Sequence, residues 1–345
     1  MQWKLSEEQQ AYQKTFRGWL ADVAPPATVR GWLDAGDATA FPARFAADGW
    51  DGVGLPEELG GQGGGLVELA LTAEELGRAA VPSADWLATV LAAPAQAGPA
   101  ALLIPAEAVP AEAPGSLRMD ADGTVTGKVA RVLAGDTAPR FVVPAGDGLR
   151  LVAADAPGVV RTPRRPLDRS RSLADVTLDR APSVRLDAEA TDLLRQASAR
   201  AAVLVAADSL GATERMLHLT VEYSKQRHQF GVPIGSFQAV KHAAATMLVG
   251  IEAARSVVYF AAASVDGGDP RAPLHAAAAK AQVTAEGARA ADTALTLHGA
   301  IGYTWEHDLH LFFKRAKLDE QLFGAPAAWN ERIADGLALI TPEGT

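Results

Sequence analysis

The chain has no cysteine, which excludes disulfides, thiolate metal centres and a thiol nucleophile. It also has no surplus of positive charge: 32 Lys and Arg stand against 41 Asp and Glu, a net charge of -9. That balance has the wrong sign for a protein whose main partner is nucleic acid or an anionic membrane, and any bound anion must meet a local basic patch. No uninterrupted apolar run reaches the length of about 20 residues that crosses a bilayer. The opening MQWKLSEEQQ lacks the apolar core of a signal peptide, so the expectation is a cytoplasmic protein. The glycine-rich Gly60 to Gly65 has no lysine at the offset of a phosphate loop and no strand before it. It is expected to be a flexible connection.

With 48% hydrophobic and 21% charged residues over 345 positions, the chain is ordinary globular material with room for two or three domains. Leu5, Gln9, Tyr12, Phe16, Trp19 and Leu20 mark a helix, with Ser6 as its N-cap and Glu7 and Glu8 in the first turn. Another helix is expected from Leu66 to Arg78. The Ala- and Pro-rich stretch from Ala92 to Pro114 reads as a linker. Short β-like runs follow at Ser116 to Met119, Thr124 to Val132, Arg140 to Val143, Leu149 to Ala153 and Val176 to Leu178. Turns at Asp122-Gly123 and Gly146-Asp147-Gly148 separate them, which implies a small β-domain reaching about Leu186.

Helical spacing then takes over. Val203, Ala207, Leu210, Leu217 and Val221 share one face of a helix that stops near Gln226, and spacing resumes through Phe237, Val240, Ala244, Met247, Ile251, Val258 and Ala262. A third helix, Ala272 to Leu297, begins at Pro273. Short connections between such helices make an antiparallel four-helix bundle. The fold class expected is α+β, mostly α: an N-terminal helical domain over 1–92, a middle β-domain over 93–186 and the bundle over 187–345.

The first two bundle helices are joined by RHQFGVPIGSFQAVKH, Arg227 to His242, where Pro233 prevents a continuous helix. The turn displays Arg227, Phe230, Gln238, Lys241 and His242 at one bundle end. A guanidinium can grip a phosphate, an aromatic face can stack on a purine and a carboxamide can read a nucleotide edge, so the set suits a dinucleotide.

R-x-x-F-G-x-P-I-x-x-F-Q here, G-W-x-G-x-x-x-P-E-E-x-G-G-x-G from Gly49 to Gly63 and L-H-G-A-I-G-Y-T-W-E from Leu297 to Glu306 together resemble the acyl-CoA dehydrogenase family. The resemblance implies an N-terminal helical domain, a small middle β-barrel and a C-terminal bundle. It also implies FAD, an acyl-CoA substrate, an electron acceptor, and α,β-dehydrogenation of the thioester. The cofactor-binding set it implies is Arg227, Phe230, Gly231, Phe237, Gln238, Thr296, Gly299, Ala300 and Gly302, reaching the adenosine and pyrophosphate of a FAD held mainly by a neighbouring subunit; no metal is implied. Thr296 stands where the family has Gln and Ala300 where it has a second Gly.

Other departures concern the flavin ring and the base. The family's T-E-P-x-x-G-S-D loop has no counterpart between Leu103 and Gly115, and its Trp-x-Thr falls on Arg131 and Leu133. Its catalytic Glu occupies one of two places, which here are Phe323 and Ala201. Neither side chain accepts a proton. Among nearby acids, Asp208, Glu306, Asp308 and Asp319 read as solvated or salt-bridged, and Glu320 is the best substitute base. W-E-H-D-x-H-L-x-x-K-R-A-K, Trp305 to Lys317, resembles the short subunit of actinobacterial heteromeric steroid-type members. The expectation is therefore a subunit without its own base, working with a longer partner in a heterotetramer. The alternatives are a self-sufficient homo-oligomer using Glu320, and a non-enzymatic scaffold or acyl-CoA sensor.

Overall fold

A computed structural model describes residues 4–337 apart from 38, 114, 116, 146 and 147. Five helices come first: α1 (Glu7–Val23), α2 (Pro26–Ala35), α3 (Ala40–Ala47), α4 (Leu66–Ala79) and α5 (Ala84–Ala92). The start of α1 is where local chemistry sets it. Ser6 Oγ accepts the Gln9 amide at 3.1 Å while the Gln9 side chain accepts the Ser6 amide at 3.0 Å, a capping box that satisfies two otherwise orphaned donors. Phe16, Trp19, Phe41, Phe45 and Trp50 then pack as one aromatic cluster between α1 and α3.

Among the described residues eight strands follow: β1 (Ala101–Leu102), β2 (Leu117–Met119), β3 (Val125–Leu133), β4 (Arg140–Ala145), β5 (Gly148–Ala153), β6 (Val159–Arg164), β7 (Leu173–Ala181) and β8 (Val184–Leu186). They form two four-stranded sheets, ordered β1-β4-β5-β8 and β2-β3-β7-β6. Among the described residues only β1 pairs parallel, with Ala101 opposite Phe141. The stretch read as a linker is thus partly core: Ala100 to Ile104 are all buried, and a 3-10 turn follows at Pro110–Glu112. β1, β6 and β8 were not expected. β1 acquires its strand character from a partner far along the chain, and β6 is exposed at Val160 to Arg164 and lacks the alternation a sequence can show. Of the expected turns and strand ends, Ser116, Gly146 and Asp147 lie outside the described residues.

Helices complete the chain: α6 (Ala190–Gln226), α7 (Gln238–Asp266), α8 (Ala272–His298), α9 (Leu309–Gln321) and a fifth, shorter α10 (Pro326–Gly336) on α8. A two-residue hairpin of β9 (His228–Gln229) and β10 (Val232–Pro233) joins α6 to α7. By length and composition α7 could cross a membrane, a property hidden from a search for uninterrupted apolar runs by Lys241, Glu252 and Arg255. Here it packs on α4, α6 and α8, burying Met247, Ile251, Val258 and Ala262.

The N-terminal helices meet the bundle where α4 crosses α6. A methyl on Gly77 would lie 2.1 Å from the Asp208 carbonyl oxygen, and one on Gly211 1.8 Å from that of Glu74, so only glycine allows the two backbones this close. Glu74, fully buried, is held by Arg255 at 2.7 Å and Tyr259 at 2.5 Å from α7. The glycine-rich connection before α4 is not slack: Gly54 donates to the Gly63 carbonyl and Gly63 to that of Leu55. The first amides of α4, at Leu66 and Val67, are capped by the Asp266 carboxylate at 2.8 and 3.1 Å, which leaves no phosphate cradle there.

Candidate functional site

At the end of α6 the backbone turns through Phe230 and Gly231, with φ of 54 and 81 degrees, the double left-handed pattern of a tight hairpin turn. Glycine adopts this freely, whereas phenylalanine is strained by it. Phe230 is also 92% exposed, touching Phe237 edge-on at 6.1 Å between ring centroids. An aromatic ring held in solvent on an unfavourable backbone has nothing to gain within its own chain. Arg227, Gln238, Lys241 and His242 are exposed around it.

The second motif lies at the same bundle end. Tyr223, one turn before Arg227, stacks on His298 at 4.6 Å, and His298 lies 4.6 Å from His307. This cluster of three rings was not anticipated; its members carry no shared spacing. It ties His298, the residue before Gly299, to the last turns of α6. Gly299 is exposed with φ of 65 degrees, and a methyl there would meet no atom within 4 Å, so its backbone can be approached from outside. Ala300 is also exposed. Gly302 is a packing residue instead, since a methyl would sit 2.9 Å from Leu295 and 3.0 Å from His298. The exposed Thr296 hydroxyl donates to its own helix, at the Asp292 carbonyl. An exposed guanidinium, a presented aromatic face and open glycine backbone are a donor set that fits a dinucleotide arriving from outside the chain.

The positions that depart from the family pattern converge. Arg131 sits on a bulge of β3 with φ of 51 degrees and is ion-paired with Glu107, while Leu133 is buried. Ala106 donates its amide to the Arg131 carbonyl at 2.9 Å and accepts the Phe323 amide at 2.6 Å. Phe323 is buried, and Ala111 donates to Ser198, one turn from the fully buried Ala201. The segment from Ala106 to Ala111 therefore runs between β3, α6 and the end of α9, the three places that carry Arg131, Ala201 and Phe323. Lys280 of α8 holds this end of α9 in place, its ammonium donating to the carbonyls of Asp319, Gly324 and Glu320 at 3.0, 2.9 and 3.3 Å. The Glu320 residue itself is half-buried.

Of the other acids, Asp308 pairs with Arg30 and Glu306 is exposed. Asp208 and Asp319 belong to a buried cluster that the sequence did not reveal. Arg315 reaches Asp208 at 2.7 Å and Arg171 reaches it at 2.8 Å, with Asp319 3.6 Å from Arg171. Burial opposes charge on Asp208, but the two guanidinium groups outweigh it and hold its carboxyl below the ordinary 3.8. Burial, the Asp208 charge and a hydrogen bond to the Asp208 carboxylate push Asp319 well above that value. The signs differ in consequence. Stability drawn from Asp208 is present above 3.8 and is lost as pH falls through its depressed folded value. For Asp319 the folded chain binds the proton more tightly, so stability is complete in acid and declines as pH climbs through the raised value. Asp319→Asn should therefore raise the urea midpoint at neutral pH and leave it unchanged in acid. An unchanged midpoint at both would show that folding does not raise the proton affinity of Asp319.

Residues 6–100 match the family model described as Acyl-CoA dehydrogenase, N-terminal domain, and 192–338 the one described as Acyl-CoA dehydrogenase, C-terminal domain. Among curated proteins, Acyl-CoA dehydrogenase IpdE2 of Mycobacterium tuberculosis is 37% identical over 93% of this chain and 94% of its own length. Among solved structures, the ChsE4-ChsE5 complex from Mycobacterium tuberculosis is similar at a TM-score of 0.87 and 28% identity, covering 99% of this chain and 100% of that one. The Tcur3481-Tcur3483 steroid ACAD is similar at a TM-score of 0.85 and 29% identity, over 96% of this chain and 98% of that one.

Proposed function

The chain belongs to the acyl-CoA dehydrogenase family, whose cofactor is FAD, and from that premise we propose that it is a subunit without a proton acceptor of its own, completing the FAD site of a longer partner. The observation that carries this reading is the Ala106 bridge. Where the family's base would stand there is a buried phenyl ring, and its backbone is tied through Ala106 to the strand that would face a flavin. Abstraction of the α-proton of a thioester needs a positioned carboxylate, a contribution of about 10²- to 10⁴-fold in rate, and Phe323 and Ala201 supply none. Bound FAD would supply the acceptor for the hydride of the β-carbon. The role assigned to this chain is binding: Arg227 on a phosphate, Phe230 and Phe237 against the adenine, Gln238 on a nucleotide edge, and the backbone at Gly299 and Ala300 beside the pyrophosphate.

The partner would supply the base, the wall of the flavin ring and the acyl pocket. The likeness to complexes of two named chains supports a heteromer, and the likeness to a steroid acyl-CoA dehydrogenase supports a steroidal acyl-CoA as substrate class. Purification decides the matter. The chain alone should be colourless, and co-expressed with its longer partner it should yield a yellow complex active on acyl-CoA. A yellow, homo-oligomeric preparation that bleaches with acyl-CoA would replace this reading with the self-sufficient enzyme using Glu320. A complex whose flavin content ignores Arg227→Ala would favour the scaffold.

A further inference from the structure

Away from the bundle end, α2, the loop joining β6 to β7, and the start of α9 enclose a cavity of about 120 Å³. One wall is the Trp305 indole, 58% exposed, with Lys314 Nζ 3.8 Å and Arg169 Cζ 5.3 Å from its centroid. Among the described residues neither cation is ion-paired, whereas Arg30 beside them holds Asp308. Two like charges sharing one ring repel, and an aromatic face compensates only part of that.

His310 adds a third donor. It is 5% exposed, and its Nδ1 lies 3.3 Å from Lys314 Nζ. An ammonium can only donate, so Nδ1 is the acceptor and Nε2 carries the hydrogen. Burial, with Lys314 and Arg30 adding to it, pushes His310 down to about 4, which keeps it in this neutral form. Its Nε2 is buried without a partner. One acceptor faces these donors: Asp168, whose Oδ1 is taken by the Ser170 amide and hydroxyl at 2.9 and 2.6 Å, leaves Oδ2 buried and unbonded. Asp34, the other acid on the cavity, is exposed to solvent.

We propose that this cavity binds a phosphate-class oxyanion that retains an O–H, with Lys314, Arg169 and His310 Nε2–H as donors and Asp168 Oδ2 as the acceptor of its proton. A plain carboxylate satisfies the donors but leaves Asp168 opposed by a second negative charge, so it should bind less well. The cavity is too small for more than a head group, and the site does not depend on the assignment of the dinucleotide clamp.

The test is a titration of tryptophan emission at constant ionic strength with inorganic phosphate, glycerol phosphate and acetate, near pH 6, where a phosphate ester keeps an O–H part of the time. The protein should be the form that purifies, chain or complex. Saturable change with inorganic phosphate and at least a tenfold weaker response to acetate are expected, with glycerol phosphate distinguishing an ester group from the free ion. Trp305→Phe should abolish the signal, and Lys314→Gln and Arg169→Gln should each weaken binding about tenfold, while Arg164→Gln, on the neighbouring surface, should not. No saturable response, equal affinity for acetate, or indifference to Lys314→Gln would overturn the proposal.

Discussion

Arg315→Met should cost about 3–5 kcal/mol of folding stability, the scale for removing one partner from a buried ion-pair cluster. Arg315 is wholly buried and its guanidinium gathers three parts of the fold. It donates to Asp208 on α6 at 2.7 and 3.2 Å, to the Val81 carbonyl and Ser83 hydroxyl after α4 at 3.0 and 2.9 Å, and to Ser170 of the β-region at 3.2 Å. Burial alone would lower its pKa, yet the facing carboxylates raise it, so the charge persists at any accessible pH. Methionine matches the length but leaves Asp208 facing Arg171 alone and takes the donor from the Val81 carbonyl and the Ser170 hydroxyl, while Ser83 keeps Arg171 at 2.6 Å. The double variant Arg315→Met with Asp208→Leu should not recover the loss, because Asp208 also partners the buried Arg171 at 2.8 Å and its removal strands that guanidinium. Urea midpoints of the four proteins close the cycle. A single-variant loss below about 1 kcal/mol would show that the cluster does not brace the domains.

Arg227→Ala should loosen flavin in the assembled complex by about 1.5–3 kcal/mol, or roughly tenfold to more than a hundredfold, the worth of one hydrogen bond to a charged group. The chain's own stability should not move, since the side chain is exposed. Phe230→Gly offers a sharper discrimination because its two effects have opposite signs. Relief of the left-handed backbone at φ of 54 degrees should stabilise the chain by up to about 1 kcal/mol after the entropy of an added glycine, while loss of the ring should lower flavin content. Flavin retention by gel filtration and thermal melts of the same samples measure both. A Phe230→Gly protein that melts lower would mean that the ring stabilises its own fold. One that keeps full flavin would mean that the ring is not part of the clamp.

How far the sequence could be read depended on the range of each interaction. Ser6, Gln9 and the start of α1 were legible because a capping box spans four residues, and Pro273 and Gln226 bounded helices for similarly local reasons. The stretch around Ala101 was not, because two residues become a strand only when Phe141 and Val142 pair with them. The site divided in the same way. Arg227, Phe230, Gln238 and Gly299 were recognisable by type and order. Gly302 and Thr296, read with them, turned out to be engaged within the chain, and the Tyr223–His298 stack went unseen.

What the sequence by itself determined is a matter of identity: no carboxylate stands at Phe323 or Ala201, no thiol exists anywhere, and the residues proposed for a nucleotide clamp follow one another in order. These hold in any conformation. Only the tertiary structure decided that Ala106 bridges β3 and Phe323, that the two halves of the proposed clamp share one bundle end, and that Asp208 is shifted down while Asp319 is shifted up. Burial and electrostatic environment are properties of neighbours brought together from distant parts of the chain, and two aspartates that read alike in sequence are separated only by what folding packs against each.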